Sequence, residues 1–444
     1  MKNVSDMTQG SILSKMIRFA IPVLFGMLFQ RIYNFADVYI VGKYLGDDAL
    51  AAVSIAGSAM YLFQSLIFGL TTGVSVVIAQ YYGSGKHEKV RDTFITSIYV
   101  AIISTILITV LGVFGTKPLL ILMQTGDDLL KDACTYLAII FLGTIATMLY
   151  NWISAVLRSL GNSTVPLIFL ILSSGLNILL DITLIAWIPL GVAGAAIATV
   201  LAQFVSGVLC LLYAWHILPF LRVKRKQLAF DKAIASLILK YGIPAGLQMS
   251  IISISDMTLQ SVVNMYGTAM IVAYGVCMKV EAIGWQMTEA IGSSLGTFVG
   301  QNVGAGKMER VKTGVKYAYW MNIVCYSIFC PAIFFGAEQI MRVFTDSAAS
   351  IQYGMEYIHI FSFFFFAGGF LVVYHNVLRA AGDVKVTILM GISEVLTRIS
   401  FSFLFTAWFG YHGLWWVSPL TWTCAAIVGC IRYYSGKWQD KCMI

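Results

Sequence analysis

Four residues carry the chemistry that stands out in this sequence: Asp37, Asn177, Asp181 and Thr199, each inside a long apolar run. A charged side chain in the middle of a membrane-spanning helix costs roughly 2.5–3.5 kcal/mol on insertion scales, so a chain that keeps one there usually uses it for an ion, a proton or a cationic ligand. Asp37 lies in IPVLFGMLFQRIYNFADVYIVGKYLG, where Gln30, Asn34 and Asp37 follow an i, i+4, i+7 spacing. That spacing predicts one polar face on an otherwise lipid-compatible helix, a face that must look at protein or water. Pro22, fifteen residues before the acid, weakens the helical ladder and predicts a bend. The competing reading pairs Asp37 with Arg31 or Lys43, six residues to either side, as a structural carboxylate.

A second polar stripe, in VPLIFLILSSGLNILLDITLIAW, holds Asn177 and Asp181 at i, i+4 with Ser174 one turn earlier. The next apolar run adds Thr199 and Gln203 at the same spacing. If these three helices meet, two carboxylates and several neutral oxygens converge, which suits a small hard cation or a shared proton. The alternative is a hydrogen-bonded cluster that only orients helices. The second half offers Asp256 and Gln260 on one predicted helix, Glu281 on the next and Tyr374 further along as candidate cavity lining. Glu394 and Arg398, at i, i+4, are expected to neutralise each other. Five histidines are scattered without a partner motif, and eight cysteines show neither CxxC nor paired loop spacing. The expectation is therefore a protein that is not an enzyme and has no cofactor, zinc site or disulfide framework.

The elements that must position these residues follow from composition. With 59% hydrophobic residues, 11% charged and a mean hydropathy of +0.82 over 444 residues, the chain reads as an all-α polytopic membrane protein. Apolar runs predict twelve transmembrane helices near 15–42, 50–80, 93–115, 130–157, 165–188, 192–219, 236–265, 271–300, 313–336, 352–378, 386–409 and 413–433. Nineteen Lys and Arg fall at the termini and in the loops after even-numbered helices, against four in the opposite loops. Basic residues in short loops stay cytoplasmic, so both termini and the basic loop at 221–232 are expected inside. The net charge of +8 thus reports topology rather than nucleic-acid binding; contact with anionic lipid is the other reading of that loop. The polar start MKNVSDMTQGSILSKM predicts no cleavable signal, with the first helix inserting itself.

The halves repeat. AQYYGSGKHEKVR at 79–91 matches GQNVGAGKMERVK at 300–312, and VLRSLGNSTV at 156–165 matches VLRAAGDVKV at 377–386, both at an offset of 221. GVAG at 191–194 and GYHG at 410–413 follow at 219. Six helices per repeat, an even number, predict a parallel duplication, with an N-terminal lobe at 1–220, a connector at 221–235 and a C-terminal lobe at 236–444. The GSGK loop lacks Walker spacing and reads as a helix C-cap and tight turn.

Pro22 with YNFADVYIVGKYLGDDALAAVS, the repeated GxGK loops, the duplicated VLRxxG, and GLNILLD followed by GVAGAAIAT resemble the multidrug and toxic compound extrusion family over nearly the whole chain. The resemblance implies two six-helix bundles in a V and a secondary antiporter. Such a protein extrudes organic cations from the cytoplasm in exchange for Na⁺ or H⁺ by alternating access. It also implies, residue by residue, that Asp37, Asn177, Asp181 and Thr199 form the first-lobe cation site of prokaryotic members. A further branch places an acid in the tenth helix, where FFFFAGGFLVVYHN has none. The implied partners are small lipophilic cations and membrane lipids, and the expected state is a monomer in the cell membrane. The alternative within the same superfamily is a flippase for a lipid-linked oligosaccharide or cell-wall precursor, for which Arg31, Lys240, Lys279 and Arg398 are the available cations.

Overall fold

The computed structural model describes residues 5–218 and 228–441, apart from the side chain of Leu62; most of the expected connector lies outside the described residues. Every described element is helical. In chain order these are α1 (Ile12–Leu45), α2 (Asp47–Gly83), α3 (His87–Leu122), α4 (Asp127–Leu142), α5 (Thr144–Ser159), α6 (Thr164–Asp181), α7 (Val192–Ile217), α8 (Lys232–Asn264), α9 (Thr268–Gly304), α10 (Met308–Phe335), α11 (Ala337–Phe344), α12 (Ala348–Ala381), α13 (Val384–Phe409) and α14 (Tyr411–Tyr434). Eleven are each long and apolar enough to cross a membrane, and the pair α4 and α5 supplies the twelfth span.

That pair corrects the single helix expected over 130–157, because the chain bends by 48° at Gly143. Any side chain at Gly143 would collide with Val200 of α7, so the break falls where the neighbouring helix passes closest. α11 also lies outside the expected set. At eight residues it is too short to register as a span, and it buries only Ala337 and Met341.

The chain forms two compact units, unit 1 from Met1–Asp6 and Ile21–Gly246, and unit 2 from Met7–Ala20 and Leu247–Ile444. The first helix of each repeat therefore starts in the other repeat's unit, and the change falls beside a proline in both, Pro22 in α1 and Pro244 in α8. Within unit 1 the first part of α8 meets α2 backbone to backbone. A Cβ at Gly69 would stand 2.5 Å from the Gly242 carbonyl, and one at Gly246 would stand 3.0 Å from that of Ser65. Small residues four apart on both helices permit this approach, which in a membrane substitutes for the hydrophobic drive between helices.

The repeated GxGK turns hold the incoming segments. Gly85 and Gly306 adopt left-handed φ values of 73° and 69°, as a C-cap glycine does. In unit 2 Lys307 Nζ donates to the Thr8 carbonyl at 2.9 Å, and Arg310 Nη2 donates to that of Gly10 at 3.1 Å. In unit 1 Lys89 Nζ lies 3.6 Å from Asp231, whose Oδ1 caps α8 by accepting from Ala233 N at 2.9 Å and Ile234 N at 3.1 Å. The Ile234 amide first, then that of Ala233 and the charge of Lys89, hold the Asp231 carboxyl below its ordinary value.

The two interiors differ in texture. Unit 1 packs Ala52, Ala56, Ala59, Ala195 and Ala196 against Val41, Leu137 and Phe141, a small-residue core that draws α1, α2, α4 and α7 together. Unit 2 seats aromatic rings on glycine: Trp285, Phe365 and Trp422 meet edge to face at 5.3–5.7 Å, with Gly284 leaving space for Phe365.

Candidate functional site

Helical geometry decides which polar residues of α1 face inward. Gln30, Tyr33 and Asp37 (i, i+3, i+7) share the side that carries the acid and borders the unit 1 cavity, Gln30 itself being exposed; Asn34, also exposed, lies on the adjoining face and does not line that cavity. Both sets fit a helical period, because a residue three or four positions on lies on nearly the same side. This corrects the placement of Asn34 on the polar face. Asp37 is buried, with neither Arg31 nor Lys43 within ion-pair distance. Lys43 instead lies over the rings of Tyr39 and Tyr44.

α6 brings Asp181, fully buried, against this face, so that the Asp37 and Asp181 carboxyl groups lie within hydrogen-bonding reach of one another. With its amide oriented to satisfy both neighbours, Asn177 donates to Asp181 Oδ2 at 3.2 Å and accepts from the Thr199 backbone N–H at 3.3 Å. Thr199 thus enters the cluster through its backbone. One oxygen of each acid, Oδ1, is buried without a hydrogen-bond partner among the described residues. Immediately beyond Asp181 the helix widens into a π-turn over Ile182–Trp187, an irregularity often found at functional sites and one that apolar periodicity does not announce.

Two tyrosines complete the cluster without having been read from the sequence. Tyr33 hydrogen-bonds Gln203, whose Oε1 also accepts from Thr147 Oγ1, and the buried Tyr136 of α4 is within electrostatic range of Asp37, Tyr33 and Asp181. The i, i+4 step from Tyr33 to Asp37 could have drawn attention to the first. Tyr136 has Asp132 one turn before it on α4, but that spacing points to neither Asp37 nor Asp181, and only folding places it here.

Beside the acids lies a cavity of about 220 Å³ within unit 1, walled by Gln30, Tyr33, Asn151, Arg158, Asn177 and Gln203 among others, with Pro22 at its α1 side. α1 runs through Pro22 without interruption, yet the missing N–H leaves the Arg18 carbonyl without its usual helical donor. The remaining four expected lining residues belong to unit 2, where each is engaged separately. Asp256 meets Arg398, whose Nη2 lies 3.2 Å from Glu394. Glu281 accepts from Trp285 Nε1 and Tyr357 Oη, both at 2.8 Å. Gln260 donates to Asn264 at 2.8 Å, and Tyr374 is buried against Tyr319 and Tyr433. These four do not gather into one site.

Two adjacent carboxylates in a low-dielectric surrounding repel each other. A shared proton, or a small hard cation held by their oxygens, relieves that repulsion. Among the described residues no group of three or more His, Cys, Asp or Glu is placed to hold a metal ion.

Comparison with known proteins gives the family and the fold. The model of the MatE family matches residues 22–183 and 244–404, once in each repeat. The chain is 30% identical to the "Probable multidrug resistance protein YpnP" of Bacillus subtilis, over 98% of this chain and 97% of that one. It is 22% identical to the "Multidrug export protein MepA" of Staphylococcus saprophyticus, over 96% and 94%. Among solved structures, a multidrug resistance MATE family transporter of the MOP superfamily in an outward-facing conformation superposes with a TM-score of 0.91 over 99% of both chains at 22% identity.

Proposed function

We propose that this chain, which belongs to the MatE family, exports small lipophilic cations from the cytoplasm in exchange for Na⁺ or H⁺, using Asp37 and Asp181 as the ion-coupling pair. The observation that carries the reading is the pair itself: two buried carboxylates in contact, with no Arg, Lys or His bonded to either among the described residues. An antiporter needs its two cargoes to exclude each other. With the pair bare, unit 1 presents negative charge next to a cavity walled by Gln30, Tyr33 and Gln203 and attracts a cation. Once an external ion neutralises the pair, that attraction is gone and the drug leaves. Asn177 orients Asp181, Tyr33 and Tyr136 border the pair, and the weakened ladder at Pro22 lets α1 bend as the charge changes. One charge moving through 100 mV supplies about 2.3 kcal/mol, roughly fiftyfold in concentration ratio.

The chain is a multi-pass membrane protein, and the same reading sets it in the cell membrane as a monomer with both termini cytoplasmic, from the basic asymmetry of its loops. The precursor-flippase alternative is not favoured, because an acidic cluster repels a pyrophosphate and the relatives are named as multidrug exporters. Expression in an efflux-deficient host tests the proposal. Resistance to lipophilic cations such as ethidium should rise and should vanish when an ionophore collapses the ion gradients, whereas export sustained by ATP alone would refute it.

A further inference from the structure

Arg158 and Arg379 hold the same place in the two repeats, as the arginine of VLRSLG and of VLRAAG. Their surroundings are unlike. Arg379 is engaged within unit 2: its Nη2 donates to Gln248 Oε1 at 3.0 Å and the Glu289 carboxylate supplies counter-charge nearby, while its Nε is buried without a partner among the described residues. Arg158 makes no hydrogen bond or ion pair through its side chain with any described residue; the phenol of Tyr150 and the thiol of Cys210 are its polar company, and it forms part of the cavity wall.

The repeat shows what has changed. The offset of 221 that aligns α2 with α9 puts Phe68 where Glu289 stands, and the first helices, aligned at 221 or 222, put Met27 or Gly26 where Gln248 stands. Phe68, Met27 and Gly26 all line the cavity. The first repeat therefore keeps the guanidinium, lacks both the amide acceptor and the counter-charge that engage its copy, and puts apolar cavity-lining residues at those places. A guanidinium in such a setting favours a planar anion that takes two parallel N–H bonds, which is a carboxylate.

We propose that Arg158 is a carboxylate-accepting subsite at one end of the unit 1 cavity, which makes zwitterions, rather than simple cations, the preferred substrate class. The cavity follows α6 from Ser163 to Asn177, about 20 Å at 1.5 Å per residue. A drug-sized molecule lying along it sets its carboxylate at Arg158 and its cationic end toward the acid pair. This deepens the exporter reading and rests on the cavity taking substrate.

The test is equilibrium binding to the purified full chain, read by fluorescence anisotropy, of two matched dyes: a rhodamine with a free carboxylate and its methyl ester. The wild type should bind the acid about tenfold more tightly than the ester, the scale of one charge-assisted bidentate pair. Arg158→Gln should bring that ratio close to one, and Arg158→Lys should keep part of it. Phe68→Glu, which installs the counter-charge that Arg379 has, should also abolish the preference while the arginine stays. A thermal midpoint raised by millimolar acetate in the wild type but not in Arg158→Gln, with no preference between the dyes, assigns the subsite to a free carboxylate instead of the substrate's own. The proposal is overturned if folded wild type and Arg158→Gln share the same acid-to-ester ratio and the same acetate response, or if the wild type shows neither. Both readouts are binding at equilibrium, so absent resistance or absent gradient-driven efflux would sink the exporter reading without moving this ratio.

Discussion

Both units bury carboxylates within membrane-depth helices, and they treat them in opposite ways. In unit 2 Arg398, only 6% exposed, sits between Glu394 and Asp256, while Glu281 accepts two hydrogen bonds from Trp285 and Tyr357. In unit 1 Asp37 and Asp181 abut, and the neutral amide of Asn177 is the donor that reaches Asp181. The repeat makes the contrast exact in position, since Asn177 and Asp181 correspond at offset 221 to Arg398 and Ser402. One scaffold therefore yields a closed ion cluster where a guanidinium occupies that place, and an acid pair without a cationic partner among the described residues where an amide does. Buried charge that is internally paired cannot respond to an outside ion without first being broken apart, and charge left unpaired must respond.

The contrast is broken most severely by removing the lock. Arg398→Gln leaves Glu394 buried beside a half-exposed Asp256 and should cost about 3–5 kcal/mol, as breaking a buried ion pair from one side does; the readout is a large fall in the thermal midpoint of the purified protein. Transplanting the lock is the converse. Asn177→Arg should neutralise the unit 1 pair from within, cutting gradient-driven efflux by about tenfold or more while the protein folds normally, since a permanent cation now stands where the exchanged one must come and go. Wild-type efflux from this variant would mean that the open pair is incidental.

A smaller effect separates the units by sign. Asp181→Asn removes like-charge repulsion in unit 1 and should leave stability equal or raise it by an amount on the order of 1 kcal/mol, read as an unchanged or higher thermal midpoint, opposite to Arg398→Gln. The smallest effect lies outside both clusters. Asp231→Ala deletes the cap of α8 and should cost about 1 kcal/mol. The Asp231 carboxyl is held below its ordinary value, so the stabilisation is complete above that ordinary value, near pH 4, and declines as pH falls through the lower folded-state value. The difference in midpoint between variant and wild type should accordingly be constant near neutrality and shrink in acid.

Much of this was legible before any coordinates, and the limits have physical reasons. Buried polar residues in apolar helices are costly, so Asp37, Asn177 and Asp181 announce themselves by type and spacing. Facing is less certain, because spacings of three and four share a side of the helix; Tyr33 occupies the inward position that Asn34 also fits by period. Tyr136 and the π-turn after Asp181 leave no trace in periodicity. The pairing of Asp256 with Arg398 joins α8 to α13 across more than a hundred residues, and the exchange of first-helix ends between the units is likewise a long-range outcome. The bend at Gly143 depends on Val200, a neighbour known only once α7 is in place.

The central claim is that the unpaired acids of unit 1 are where ion and drug exclude each other. Purified wild type, Asp37→Asn and Asp181→Asn, reconstituted in liposomes with an imposed Na⁺ or pH gradient, give the most direct test through the rate of dye efflux, with thermal midpoints measured on the same preparations. Asparagine is nearly isosteric and carries no charge, so both variants should fold and both should lose gradient-driven efflux by about tenfold or more. Wild-type rates in both folded variants would contradict the account.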